Sequence, residues 1–164
     1  MNLVIFGPPG AGKGTQSGYI GKKFKLYQLS TGELLRNEIK NNTNLGKQIS
    51  STINSGNLVS NEIVGNLIEK YLSDKTYQNR IIFDGYPRTL TQAQTLNDSM
   101  IKYNQKIHIA LRLTVSLDTI IKRIKERSAL EKRDDDSEEI AIKRYETYEK
   151  NIKPVIDFYK QSNL

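Results

Sequence analysis

The segment Gly7-Pro8-Pro9-Gly10-Ala11-Gly12-Lys13-Gly14-Thr15 constrains this chain more than any other stretch of it. It follows Asn2-Leu3-Val4-Ile5-Phe6, a short apolar run closed by glycine and proline, which predicts a buried strand. Residues 13–24 then predict a helix with Tyr19, Ile20 and Phe24 on one face. Glycines between a strand and a helix let the backbone curl until successive N–H groups point inward, and the helix N-terminus adds partial positive charge. With Lys13 as a mobile cation, Gly10, Ala11, Gly12, Lys13, Gly14 and Thr15 predict a phosphate cradle. The strict pattern has Ser or Thr directly after the lysine. Here Gly14 stands there, so any hydroxyl role shifts to Thr15. The loop alone leaves a GTPase, an ATPase, a small-molecule kinase and a nucleotide-sensing module all open.

Composition narrows the chemistry. With 164 residues, one domain with its own core is expected. There is no cysteine, which excludes disulfides and thiolate metal sites, and the single histidine, His108, excludes a multi-histidine metal centre. His108 reads as a satisfied strand residue and Arg112 as an edge-facing one. No apolar run approaches the roughly 20 residues of a membrane span, and the start MNLVIFGPPG has no charged leader. A basic, soluble, cytoplasmic protein is expected, with net charge +7, whose chemistry uses Lys, Arg, Asp and backbone amides.

Further strands are predicted at Tyr27–Leu29, at Ile81-Ile82-Phe83 ending at Asp84-Gly85, and at residues 107–113. Ser30-Thr31-Gly32-Glu33 and Thr89-Leu90-Thr91-Gln92 both match capping boxes, opening helices to about residues 41 and 102. Leu45, Ile49 and Ile53 step by four toward Gly56. Ser60 caps a helix with apolar or aromatic pairs at 63/64, 67/68 and 71/72. Ser116 starts one carrying Ile120, Ile121 and Ile124. Residues 128–136 read as a charged loop, Asp136 and Ser137 lead the next helix, and a last amphipathic stretch follows Pro154. Alternating strands and helices imply an α/β fold, a parallel sheet covered by helices, with ligands at the carboxyl ends of the strands. Residues 30–75 read as a helical insertion.

Three more segments follow the phosphate loop in order: Ser30-Thr-Gly-Glu-Leu-Leu-Arg36, Gly56-Asn-Leu-Val59 and Asp84-Gly-Tyr-Pro-Arg88-Thr-Leu-Thr-Gln92. Together with GPPGAGKGT they closely resemble adenylate kinase, in the nucleoside monophosphate kinase family. The likeness continues through Arg123-Ile-Lys-Glu-Arg127 and Arg133-Asp-Asp-Asp136 to Arg144 and Tyr145, and so covers essentially the whole chain.

The resemblance implies that ATP phosphates sit on the glycine loop, a helical insertion holds AMP, and a lid closes over both while a phosphoryl group moves reversibly to give two ADP. It implies an AMP site of Thr31, Arg36, Asn57, Leu58, Val59, Gly85, Tyr86, Pro87, Arg88 and Gln92. Arg123 and Arg127 would meet ATP, Arg133 and Arg144 would complete the clamp on the transferring group, and Asp84 would orient water around Mg²⁺. The implied division is a single unit, 1–164, with its core in 1–29, 60–126 and 137–164, an AMP-binding insertion 30–59 and a short lid 127–136. Relatives with a long lid carry four metal-binding residues, often cysteines; the short span here implies no zinc. The family usually adds one more strand and helix after the position of Tyr159, whereas this sequence stops at Leu164.

Physical reasons stand beside the likeness. Phosphoryl transfer needs two nucleotides held in line and charge stabilised on the moving group, not covalent catalysis. Arginine stays charged and grips phosphate oxygens with a planar fork. Residues 123 and 127 share one helix face, and Asp84 ends an apolar strand at the ligand edge. Thr31 and Gln92 favour adenine over a UMP/CMP kinase, because an unpaired base-edge donor or acceptor rejects the wrong base. A nucleic-acid-binding module would suit the isoelectric point near 9.5, but no nucleic-acid signature is present. The resemblance implies monomeric action on ATP, AMP and ADP, with neither nucleic acid nor membrane as partner.

Overall fold

The computed structural model describes residues 1–131 and 137–164, and residues 129–131 by their backbone only. Four strands, β1 (Asn2–Phe6), β2 (Tyr27–Ser30), β3 (Ile81–Asp84) and β4 (Ile107–Arg112), form one parallel sheet in the order β2-β3-β1-β4. The central strands β1 and β3 are buried at every residue. Continuous apolar runs suit that position, where helices cover both faces. Ile5 and Ser30 both align with Asp84. The residues that follow β1, β2 and β3 therefore leave the sheet at one edge.

The helices are α1 (Lys13–Phe24), α2 (Thr31–Lys40), α3 (Asn44–Asn54), α4 (Asn61–Ser73), α5 (Leu90–Lys102), α6 (Leu117–Glu131) and α7 (Glu138–Gln161), with a 3-10 turn at Lys75–Tyr77. Side chains alternate across the sheet. Val4, Leu29, Ile81 and Phe83 meet Leu67, Ile68, Leu96, Met100, Ile152 and Val155 from α4, α5 and α7. Leu3, Ile5 and Ile82 face the other way, toward Ile20 and Leu26. At the far end of the sheet Asn2 is fully buried: its Oδ1 accepts from Ile81 N at 2.9 Å, and its Nδ2 donates to Gln105 Oε1 and to the Lys106 carbonyl. His108 sits beside it, Nδ1 accepting the Asn2 N–H at 3.0 Å, as a satisfied strand residue should. No helix among the described residues is long and apolar enough to cross a membrane.

Several sequence expectations need correction. The charged loop expected over 128–136 begins later, because α6 runs on to Glu131. Ser128-Ala129-Leu130-Glu131 holds no glycine or proline, and Ala, Leu and Glu are strong helix formers. Residues 132–136, with Arg133 and Asp134 to Asp136, lie outside the described residues. The stretch after Pro154 is not a separate helix: α7 carries Pro154 inside it. Buried Ile152 and Val155 on either side hold the helix together despite the missing N–H. Ser30 occupies the N-cap of α2, but its hydroxyl makes no cap bond; it is also the last rung of the β2–β3 ladder. Strand β4 ends at Arg112, one residue short of expectation. On α1 the buried residues are small, Ser17 and Gly21, while Tyr19 and Phe24 are 67% and 53% exposed.

Local capping placed α3, α4, α5 and α7. Thr43, Ser60, Thr89 and Ser137 each accept a backbone N–H three residues on. The α2–α3 pair crosses at Gly46, where an added methyl would land on the backbone carbonyl of Glu38. Backbone cannot yield there as a side chain would. Gly46→Ala should therefore cost about 2 kcal/mol and lower the melting temperature by about 4–8 °C, read by thermal denaturation.

Candidate active site

The turn after β1 leads into α1 through two glycines in the left-handed region, Gly10 at φ 74 and Gly12 at φ 91. Gly12 is the N-cap of α1 and has no side chain to bond the first N–H groups of the helix. Those donors remain in the glycine turn, where an anion would replace a cap. Lys13 folds back over the turn, its Nζ donating to the carbonyls of Gly7 at 2.8 Å and Pro8 at 2.9 Å. Burial pushes the Lys13 ammonium down from 10.5 to about 8. Asp84 opposes that shift, while Arg88 and Arg127 add to it. A cation whose charge is disfavoured by burial and neighbouring cations gains when a polyanion arrives.

Asp84 ends β3 and is 6% exposed. Its Oδ2 accepts from Gln28 Nε2 at 2.9 Å, and the same Nε2 reaches the Gly14 carbonyl at 3.4 Å. Gln28 thus ties the carboxylate to the phosphate loop. The chain then turns through Gly85 at φ 77 and a cis Tyr86–Pro87 bond. Thr31, buried at the start of α2, donates from Oγ1 to the Gly85 carbonyl at 3.0 Å. Arg88 Nε donates to that same carbonyl at 2.7 Å. Gln92, 2% exposed, reaches back from the first turn of α5, but to the Arg88 N–H at 2.8 Å rather than to the cap residue. The capping box expected at Thr89 is thus only half realised.

Arginines from four segments approach this turn and the phosphate loop. A methyl group added at Gly32 would sit 3.3 Å from Arg36 Nη1 and 3.7 Å from Arg88 Nη2, so the two guanidiniums flank one point. Arg123 Nη1 lies 3.4 Å from the carbonyls of Gly10 and Ala11. Arg144 Nη2 lies 3.5 Å from the Ile53 carbonyl, and Lys143 Nζ donates to the Ser55 carbonyl at 2.8 Å. Cations there meet carbonyls at the end of α3, of which that of Ile53 also accepts the Gly56 N–H at 3.0 Å.

One cavity of about 800 Å³ joins these parts. Gly10, Ala11, Gly12, Lys13, Gly14 and Thr15 line one end. Thr31, Arg36, Asn57, Leu58, Val59, Gly85, Tyr86, Pro87, Arg88 and Gln92 line the other, and Asp84 lies beside the glycine loop. Arg123, Arg127 and Arg144 border it too. Of the site residues read from sequence, only Arg133 is unplaced, being outside the described residues. Tyr86 is 1% exposed, and burial pushes its phenol up to about 12, so it packs as a neutral wall. Arg112 is exposed and His108 lies at the opposite end of the sheet; neither lines this cavity.

Sequence reasoning passed over Gln28, Thr147 and Tyr148, which also line it. Spacing from Arg144 marks Thr147 and Tyr148, three and four residues on along α7. Burial raises the Tyr148 phenol, with Arg112 opposing. Chemically the cavity offers inward N–H groups, one lysine, several arginines and one buried carboxylate. That set can hold phosphate groups and stabilise charge between them, without a nucleophile.

Comparison with known proteins agrees with this geometry. Residues 5–164 match the family model described as adenylate kinase. The adenylate kinase of Pelagibacter ubique is 44% identical over 191 residues, covering 100% of this chain and 90% of that protein. That of Porphyromonas gingivalis is 38% identical over 164 residues, covering 100% of this chain and 84% of that protein. The Archaeoglobus fulgidus adenylate kinase is 33% identical over 191 residues, covering 100% and 88%. Matched from residue 5 to its last residue by that model, and over its whole length by these relatives, the chain belongs to the adenylate kinase family.

Proposed function

We propose that this protein moves the γ-phosphoryl group of ATP to AMP, reversibly, giving two ADP. The observation that carries the reading is the single cavity. Its glycine loop and Lys13 stand at one end, Thr31 and the Gly85–Gln92 turn at the other, and arginines from α2, the post-β3 turn, α6 and α7 border it. In this reading Gly10 to Thr15 hold the ATP phosphates, with Arg123 and Arg127. Thr31, Arg36, the 57–59 segment, Gly85 to Arg88 and Gln92 hold AMP. Lys13, Arg88, Arg123, Arg144 and the undescribed Arg133 bear on the transferring group. Guanidinium groups converging from separate elements suit a migrating phosphoryl group, whose charge spreads over its equatorial oxygens.

Magnesium fits the residues present, for Asp84 offers a buried carboxylate fixed by Gln28 at the phosphate end of the cavity. Bound to the ATP phosphates, the ion would neutralise charge there, with Asp84 holding its water shell. Zinc is not part of the reading, since the chain has no cysteine and one histidine. The match to the Pelagibacter protein runs over 191 positions against 164 residues here, while that to the Porphyromonas protein runs over 164. We place the missing positions in the lid, residues 127–136, and residues 30–59 as the AMP-binding insertion. The protein acts as a cytoplasmic monomer on free ATP, AMP and ADP, without nucleic acid or membrane as partner.

A coupled assay with ATP, AMP and Mg²⁺ should give ADP, and none when either nucleotide is omitted. Equal turnover of UMP or CMP would overturn the choice of adenine. Lys13→Met and Arg88→Ala should each lower kcat by about a hundredfold to a thousandfold, with circular dichroism unchanged. A raised KM at unchanged kcat would show that these cations bind both states alike.

The pH dependence follows from the lysine. In the free protein Lys13 loses its proton near pH 8, and phosphates beside it raise that value. Affinity for ATP should therefore be full below about pH 8 and fall above it, by at most about tenfold per pH unit. Titration calorimetry across pH 7–10 checks this, and Lys13→Met should flatten that dependence.

A further inference from the structure

Gln92 is held by both ends of its side-chain amide. Its Oε1 accepts the backbone N–H of Arg88 at 2.8 Å, and its Nε2 donates to Asn61 Oδ1 at 2.9 Å. Its own backbone N–H is taken by Thr89 Oγ1 at 3.2 Å. A carboxamide oxygen has two lone pairs and the nitrogen two hydrogens. Each end therefore keeps one bonding position, an acceptor beside a donor, and Gln92 lines the cavity. The order of that pair is fixed from outside. The Arg88 N–H can only donate, so it selects the oxygen. Asn61 Oδ1 accepts from the other end and holds the nitrogen there, so the amide is anchored at both ends.

Adenine offers an N6–H donor next to the N1 acceptor, which an acceptor–donor pair complements. Hypoxanthine offers the reverse, an O6 acceptor next to an N1–H donor. An amide free to rotate could serve either; an anchored one serves one. We infer that Asn61, at the first position of α4 and outside the cavity lining, is a positioning residue that sets the base specificity of the monophosphate site by fixing the donor end of Gln92. This rests on the reading of Gln92 as part of the AMP site. Neither the sequence motifs nor the cavity lining points to Asn61. Only the register of α4 against α5 brings it to Gln92.

The test measures kcat and KM for AMP and for inosine monophosphate in the wild type, Asn61→Leu, Asn61→Asp and Gln92→Leu. Asn61 is exposed and starts a helix whose N-cap bond belongs to Ser60, so the leucine variant should fold; thermal denaturation checks it. Asn61→Leu should raise the KM for AMP by about tenfold, with kcat changed less than twofold, and lower the preference for AMP over inosine monophosphate. Asn61→Asp, which can only accept, should keep the wild-type preference. If Gln92→Leu lowers the preference while Asn61→Leu leaves it intact, the inference is wrong. If Asn61→Leu and Asn61→Asp lose activity on both monophosphates equally, the role is structural and the inference is likewise overturned. If Gln92→Leu itself leaves the preference unchanged, the placement of AMP is at fault, and the inference goes with it.

Discussion

Repulsion among cations gathered around one cavity is the constraint from which the arrangement of this molecule follows. Lys13, Arg36, Arg88, Arg123, Arg127 and Arg144 border the same space, and the Lys13 ammonium, lowered first by its burial, is lowered further by Arg88 and Arg127. Backbone oxygen answers that repulsion. Lys13 rests on the carbonyls of Gly7 and Pro8, Arg88 on Gly85, Arg123 near Gly10 and Ala11, and Arg144 near Ile53. These carbonyls are supplied by turns and helix ends, the places where main-chain oxygen lacks a partner within its own element. The glycine-rich loops thus have two uses. They direct N–H groups toward an anion, and they offer carbonyls to the cations that surround it.

The sheet brings these groups to one edge. Parallel strands end together, and the alignment of Ile5 and Ser30 with Asp84 places three turns side by side. Asp84 is the one carboxylate buried there. Its position between Lys13 and Gln28 joins the electrostatics of the phosphate end to the framework of β2.

How much of this was legible depended on whether a feature was local. The strands, the caps at Ser60 and Ser137 and the phosphate loop each lie within a few consecutive residues, and local chemistry determined them. Gln28 and Asn61 were not legible, because their importance arises from register: a glutamine on an edge strand and an asparagine opening a helix look ordinary until β3 and α5 lie beside them. Ser30 failed as a cap for a related reason, its backbone already serving as the last rung of a ladder. The α6 boundary was misplaced because charge suggested a loop where helix propensity prevailed. On α1 the aromatic face proved to be the exposed one, since close packing on the sheet selected Ser17 and Gly21. Those site residues read by family likeness that lie among the described residues came together, because that likeness carries long-range register which periodicity alone does not.

The contact between α3 and α7 has a mechanical consequence. Lys143 and Arg144 are consecutive residues, and both reach the closing carbonyls of α3, at Ser55 and Ile53. Arg144 also borders the cavity. The same guanidinium is thus a clasp on the helical arm and a hand offered to the cargo. An anion in the cavity that drew this guanidinium from Ile53 would leave the Lys143 contact at Ser55 in place. Occupancy of the cavity and the hold on the end of α3 would then compete for one side chain.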